Sequence, residues 1–473
     1  MAELRTDYRI MALGPFAPVP DGKFKPQFVP VDLYSLDEAI AAIAPVLYLP
    51  LSTELCPEGA VTLRFNSMKD FKPGQIVKNV SSLDTATTGF GGGPARPSVA
   101  KASAVDDILS MVDGPDTAPA PPAGGAGKDA ALKAIFSDEF FSSMESAWRG
   151  VQTLVKQADI KGFQPINLSI SPVSRSSLSH VLGEIKALPQ GQMANLLLVD
   201  LGFDASQPSV ELMERVVAFA DEMMVPTCVW LGSQFFRIDS WSLMKKIPYI
   251  NHHLEEMSYV KFKKLQDHGG ASWTMACCNK FALRNAHEFE PAPLMASPVW
   301  AAGILIAKSI GNTGWPMAFT NYVDCFIENL PLFSIDSNVM AATQGLFSED
   351  RIAQLLEAGI TPVVGAKNKD IAFMPKAISL AGEPIRFQMV FNRIISVLMT
   401  LREDGESWVD PETAVTQGIK QLFVRSGQPE PGDLAVSVGP SDASPGRQKV
   451  SISFTPPRAV LAAAEKIDFS FLW

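Results

Sequence analysis

The chain has 473 residues, of which 47% are hydrophobic and 19% charged, with a formal net charge of −10. Its length suggests about three domains, and its apolar fraction excludes a largely disordered chain. The acidic balance, with no Lys/Arg run or aromatic-basic motif, excludes a uniform nucleic-acid footprint.

Five cysteines, Cys56, Cys228, Cys277, Cys278 and Cys325, contain no Cys-x-x-Cys pair. That argues against a disulfide framework or a zinc site and fits a reducing compartment. Glu3, Arg5, Asp7 and Arg9 precede a short apolar stretch that soon meets Pro15, Pro18 and Pro20, which is not a signal peptide. The longest apolar run, "LMASPVWAAGILIA" at 294–307, is too short to cross a bilayer and contains Pro298. The chain reads as soluble and cytoplasmic, with no membrane insertion.

In chain order, residues 1–83 read as a small α/β unit. "YRIMALGPF" predicts a strand and turn, "FVPVDL" an extended piece, and "AVTLRF" at 60–65 another strand. Between them lies a helix with Ser35 as N-cap, Glu38 completing a capping box, and Leu36, Ile40, Ile43 and Leu47 as buried face. Residues 84–130 are Gly/Pro/Ala-rich linker. Within it "AVDDILSMV" places Val105, Ile108, Leu109 and Val112 at helical spacing, a short amphipathic helix over 104–112.

Residues 131–473 form the larger unit. In "FFSSMESAWRGVQTLV", Phe141, Met144, Trp148, Val151 and Val155 mark one buried helical face. Gly150 inside that helix costs about 1 kcal/mol against alanine, so a close backbone contact or a special partner for Arg149 should offset it. Next come "PINLSIS" (165–171), a helix from Ser176 to Leu188, "NLLLVDL" (195–201), a helix from Ser209 to Met224, and "PTCVWLG" (226–232). Continuous apolar strands alternating with amphipathic helices predict a mostly parallel sheet covered on both faces. "KVSISF" (449–454) and "KIDFSFLW" (466–473) alternate with period two and predict C-terminal antiparallel strands, whose Phe469, Phe471 and Trp473 need cover from the chain's own fold or a neighbour.

Signals for chemistry are absent. No G-x-G-x-x-G follows any of the three strands. "GFGGGP" is broken by Pro94, and "GGAGKD" lacks the leading glycine (Pro122) and the Ser/Thr (Asp129) of a phosphate loop. His180, His252, His253, His268 and His287 form no H-E-x-x-H. Cys277 and Cys278 sit among apolar neighbours, which reads as burial. Asp200 closes a buried strand where an α/β enzyme would place a carboxylate, without a recognisable partner. No cofactor, metal or catalytic residue is expected.

Three clusters carry a family resemblance. "LRFNSMKDFKPGQIVKNV" (63–80) with "FVPVDLYSLDEAIAAIAPVLYLPL" (28–51) resembles the small subunit of the type VI secretion system contractile sheath. "MESAWRG" (144–150), "GNTGWPMAF…IENLPLF" (311–333), "LFSEDRIAQLLEAGITPVVGAKNKDIAFMP" (346–375) and the terminal strands resemble its large subunit. The chain therefore looks like a fusion of both subunits. The resemblance implies a structural protomer that polymerises helically with itself around an inner tube protein, meets baseplate components, and propels the tube by contraction. Exchanged strands would link neighbours through backbone hydrogen bonds. It implies assembly strands at Tyr8, Ile10, Val450, Ile452, Phe454, Ile467, Phe469, Phe471 and Trp473. Trp148, Arg149 and Gly150 would form a helix brace, against a plainer reading as core tryptophan and snorkelling arginine. It further implies an AAA+ unfoldase gripping Val105, Ile108, Leu109 and Val112, unless that helix docks on its own body. The family's small subunit has a longer N-terminal arm and a helical C-terminal region that this sequence lacks. A non-contracting tube, a phage-tail-like injection sheath and a baseplate adaptor therefore stand as alternatives, with an α/β enzyme as a further one.

Overall fold

The computed structural model describes residues 6–20, 24–56, 58–80, 126–158, 160, 164–189, 192–403, 410–441, 447–461 and 465–473. The amphipathic segment 104–112 lies outside the described residues.

The first strand, β1 (Tyr8–Gly14), is almost wholly buried and apolar, so it needs neighbours on both edges and cover on both faces. It finds them in a seven-stranded sheet of order β13-β8-β7-β6-β1-β5-β2. There β2 is Val29–Val31, β5 Ile166–Pro172, β6 Leu196–Phe203, β7 Thr227–Leu231, β8 Thr274–Cys278 and β13 Ile360–Pro362. β1 runs parallel to β5, with Ile10 opposite Leu168, and parallel to β6, with Ile10 opposite Leu196. Only β2, at the edge beside β5, is antiparallel. Residues 1–83 thus contribute two strands to the sheet of the larger unit and, over 46–64, a separate two-stranded sheet.

Alternate side chains feed two layers. Tyr8, Ile10 and Ala12 of β1 join a core with α4 (Glu139–Gln157) and α9 (Pro298–Thr313). Met11 and Leu13 join a core with α5 (Leu178–Lys186), α6 (Gln207–Met223), α8 (Val260–Gln266) and α10 (Glu349–Glu357). The first layer also holds α1 (Leu36–Ile43), the hairpin β3 (Val46–Pro50) with β4 (Ala60–Arg64), α2 (Pro73–Asn79) and α3 (Ala126–Phe136). Phe65 and Phe71 stack at 4.4 Å between ring centroids and both lean on Phe141 of α4. Short hairpins β9–β10 (Phe281–Arg284, Leu294–Ala296), β11–β12 (Phe333–Asp336, Val339–Ala341) and β14–β15 (Val364–Gly365, Ala372–Phe373) and the helix α7 (Ile250–Leu254) fill the periphery.

Three local expectations differ from the structure. Ser35 precedes α1, but its hydroxyl accepts from Asp32 N at 2.8 Å instead of capping the helix. A capping box forms at Ser67 and Asp70, ahead of the 3-10 turn Met68–Phe71. The expected helical face at Leu47 belongs to β3, because α1 ends at a left-handed Ala44. The linker boundary also moves, since Ala126–Asp129 already belong to α3.

The last layer is α11 (Arg386–Glu403) and α12 (Pro411–Arg425) beneath an antiparallel sheet of β16 (Ala435–Pro440), β17 (Gln448–Phe454) and β18 (Ile467–Leu472). Val450, Ile452 and Phe454 point inward at alternate positions, as period-two patterning requires.

Candidate assembly interface and helix brace

Asp138 caps α4 by accepting from Phe141 N at 2.8 Å, which sets the helix phase. Phe141, Met144, Trp148, Val151 and Val155 then share one buried face, each contributing about 1.5–3 kcal/mol by apolar burial. Trp148 Nε1 donates to the Phe16 carbonyl at 2.9 Å, and the two rings meet edge to face at 5.2 Å. Phe16 lies just past β1, so Trp148 ties α4 to the end of that internal strand. A Cβ on Gly150 would fall 2.5 Å from the Trp300 ring, so only glycine admits α9 this closely. Trp300 Nε1 in turn donates to the Asp200 carboxylate of β6 at 2.7 Å.

Arg149 reaches its neighbours through Glu145. Its Nε donates to Glu145 Oε1 at 2.7 Å, one helical turn back. Glu145 is fully buried and also accepts from Arg284 Nε and Nη2, at 2.9 and 2.7 Å. Arg284 holds Glu290 with its remaining donors. Burial alone would lower the Arg284 pKa, but its bonds to Glu290 and Glu145 outweigh that and raise it. Burial would raise Glu290, yet Arg284 and the His287 amide hold it below the usual carboxylate value. His287 is pushed down by burial and the adjacent guanidinium of Arg284.

The expected assembly residues separate into two places. Tyr8 and Ile10 lie on β1, an internal strand hydrogen-bonded on both sides by β5 and β6. The physical reason is their burial on both faces, which an exposed arm would forfeit. Val450, Ile452 and Phe454 occupy central β17; Ile467, Phe469 and Phe471 occupy β18, and Trp473 follows it. Among the described residues β16 and β18 each pair on one side only. Phe469 is covered by Phe391 of α11 at 5.0 Å, and Phe471 and Trp473 continue the aromatic row, half-buried.

Sequence reading missed Arg393 of α11, whose only signal is a charged residue on an otherwise apolar helical face. Its guanidinium lies 4.9 Å from the Trp315 ring and 5.7 Å from the Tyr8 ring, and Nη2 donates to Ser426 Oγ at 3.1 Å. Burial pulls its pKa down to about 10. The Gly-Trp turn of the 311–333 segment is built for this seat: Gly314 is left-handed, and a Cβ there would strike the Ser426 carbonyl at 2.4 Å.

Other candidates show structural roles. Asp200 is raised by burial and Lys280 lowered by burial, with the Lys280 ammonium 4.7 Å from the Trp230 ring. All five cysteines are buried; burial pushes Cys277 and Cys278 up, away from thiolate reactivity. Among the described residues, no group of three or more His, Cys, Asp or Glu is placed to hold a metal. No described helix is long and apolar enough to cross a membrane.

Comparison with known proteins places this geometry. Residues 9–87 match the family described as type VI secretion system, VipA, and residues 187–298 match VipB, described as EvpB, tail sheath N-terminal domain. No curated protein matches. Among solved structures, the sheath tail protein Lin1278 from Listeria innocua is 9% identical, with a TM-score of 0.37 over 64% of this chain. The match spans 60% of the listerial chain's length. A chain of the anti-feeding prophage baseplate is 10% identical, with a TM-score of 0.36 over 69% of this chain and 76% of that one. The anti-feeding prophage helical sheath in the contracted state is 11% identical, with a TM-score of 0.36 over 69% and 78%. The matched domains define the class as a contractile-sheath protein. More particularly, this chain carries the VipA and VipB domains of the type VI secretion sheath fused in one polypeptide.

Proposed function

We propose that this chain is the repeating unit of a contractile sheath, a structural and not an enzymatic protein. It polymerises helically around an inner tube in the bacterial cytoplasm, meets a baseplate at one end, and drives the tube by switching lattice. The observation that carries this reading is the presence of both sheath domains, 9–87 and 187–298, on one chain. The fold adds a constraint. Of the expected assembly strands, β1 and β17 are internal and β18 lies at a sheet edge, so linkage between copies by strand addition falls to β18. Trp148 and Gly150 brace α4 against the end of β1 and α9, and Arg149 acts through Glu145 and Arg284 toward β9, so that each body moves as a unit. An AAA+ unfoldase engaging Val105, Ile108, Leu109 and Val112 would recycle spent polymer.

Ultracentrifugation of the purified full chain tests this. The reading expects most of the protein in polymers that pellet at moderate speed, depleted when β18 is removed. A monodisperse 51.1 kDa monomer at every concentration would overturn it.

A further inference from the structure

Between α1, the 3-10 turn Met68–Phe71 and α4 lies an open recess of about 340 Å³. Leu33, Tyr34 and Met68 supply its apolar wall and Lys69 and Lys72 its charge, with Arg149, paired to Glu145, at its floor. Lys69 and Lys72 are exposed and have no ion pair among the described residues. The one carboxylate in the lining, Asp37, accepts from the Met68 amide at 3.0 Å. Tyr34 at the rim is 79% exposed. Such a cationic, apolar cup is out of keeping with a chain of net charge −10.

The opposite chemistry stands elsewhere on the chain. Met257 is 88% exposed, the most exposed large hydrophobic residue described, and it follows exposed Glu255 and Glu256. It begins the 3-10 turn Met257–Tyr259 that leads into α8, where Lys261 is engaged by Glu211. A methionine side chain is unbranched and adapts to an irregular cup.

Placement decides how cup and knob can meet. The cup belongs to the layer of α1 and α4, whose Leu36 and Trp148 enter the first core. The knob belongs to the other layer, anchored by Leu254, Tyr259 and Phe262 in the second core. The central sheet stands between them, so one copy cannot fill its own cup. A cup on one face and its complement on the other make a head-to-tail contact, which closes into a ring or propagates as a helix. Copies with a large like charge repel, and local pairing of opposite patches is what overcomes that repulsion and sets register.

We propose that Glu255, Glu256 and Met257 of one copy seat in the Tyr34, Lys69, Lys72 and Arg149 recess of the next. This rests on the sheath reading above and names one contact within it. The test uses two full-length variants, Lys69→Glu/Lys72→Glu and Glu255→Lys/Glu256→Lys, compared by pelleting and electron microscopy. Circular dichroism and melting confirm that each monomer is folded. Each variant alone should need roughly tenfold more protein to polymerise. An equimolar mixture should recover wild-type polymer, because each reversed cup then meets a reversed knob. Wild-type polymerisation by either variant alone, or a mixture no better than its parts, overturns this contact while leaving the sheath reading intact. A wild-type chain that forms no polymer sinks the sheath reading and this contact together.

Discussion

Gly150 of α4 and Trp300 of α9 touch so closely that the hydrogen of glycine is the largest substituent the helix can present there. That contact accounts for a glycine in a helix that otherwise favours larger residues. Gly150→Ala should gain about 1 kcal/mol of helix propensity and lose about 1–3 kcal/mol to overpacking. Urea unfolding should show a lower midpoint at unchanged slope, with Gly150→Val worse than Gly150→Ala.

Trp148 makes one buried hydrogen bond that phenylalanine cannot. Trp148→Phe keeps most of the apolar burial but leaves the Phe16 carbonyl without its donor, at a cost of about 1–3 kcal/mol. A melting temperature equal to wild type would show that the indole acts as apolar filler alone.

Glu145 is shared by two arginines, and losing Glu145 should cost more than losing its outer partner Arg149. Glu145→Gln leaves Arg284 with one carboxylate in a buried setting and should cost about 3 kcal/mol or more. Arg149→Ala removes the outer partner only, so its loss should stay near or below about 1 kcal/mol. Equal losses in calorimetry would contradict this ordering.

Acid should weaken this cluster in a defined direction. Glu290 has a folded pKa below its unfolded value, so its stabilisation is present above about pH 4.5 and is lost as pH falls through the folded pKa. His287 is also depressed, so the folded state disfavours its protonation and stability drops as pH falls below about 6.5. Melting temperature should therefore decline from near pH 6.5 downward, and Glu290→Gln should flatten the more acidic part of that decline.

Gly314 combines positive φ with a backbone clash for any larger residue. Gly314→Ala should destabilise by about 2–4 kcal/mol, by displacing the Ser426 carbonyl beside the Arg393 seat. A variant as stable as wild type would show that the turn can relax without disturbing that seat.

Local patterning was legible where it matched one period. The α4 stripe, the apolar strands β5 to β7 and the alternation of β17 and β18 appear in the structure within a residue or two of expectation. What the pattern could not reveal is partner choice. β1 reads as a strand of a separate small α/β unit, and nothing local says that it inserts between β5 and β6, about 155–190 residues away in sequence. That long-range pairing is what places Tyr8 and Ile10 on an internal strand. Ser35 misled for a different reason: the motif was present, but Asp32 offered its hydroxyl a nearer donor. Glu145 carried no signal as a hub, because its arginines come from 4 and 139 residues away.

The central claim is that one polypeptide holding both sheath domains assembles by itself. Electron microscopy of the purified full-length chain, without added partners, addresses this most directly. The account predicts hollow helical tubules with a regular axial repeat. Discrete particles or small rings alone, from well-folded protein at high concentration, would contradict it.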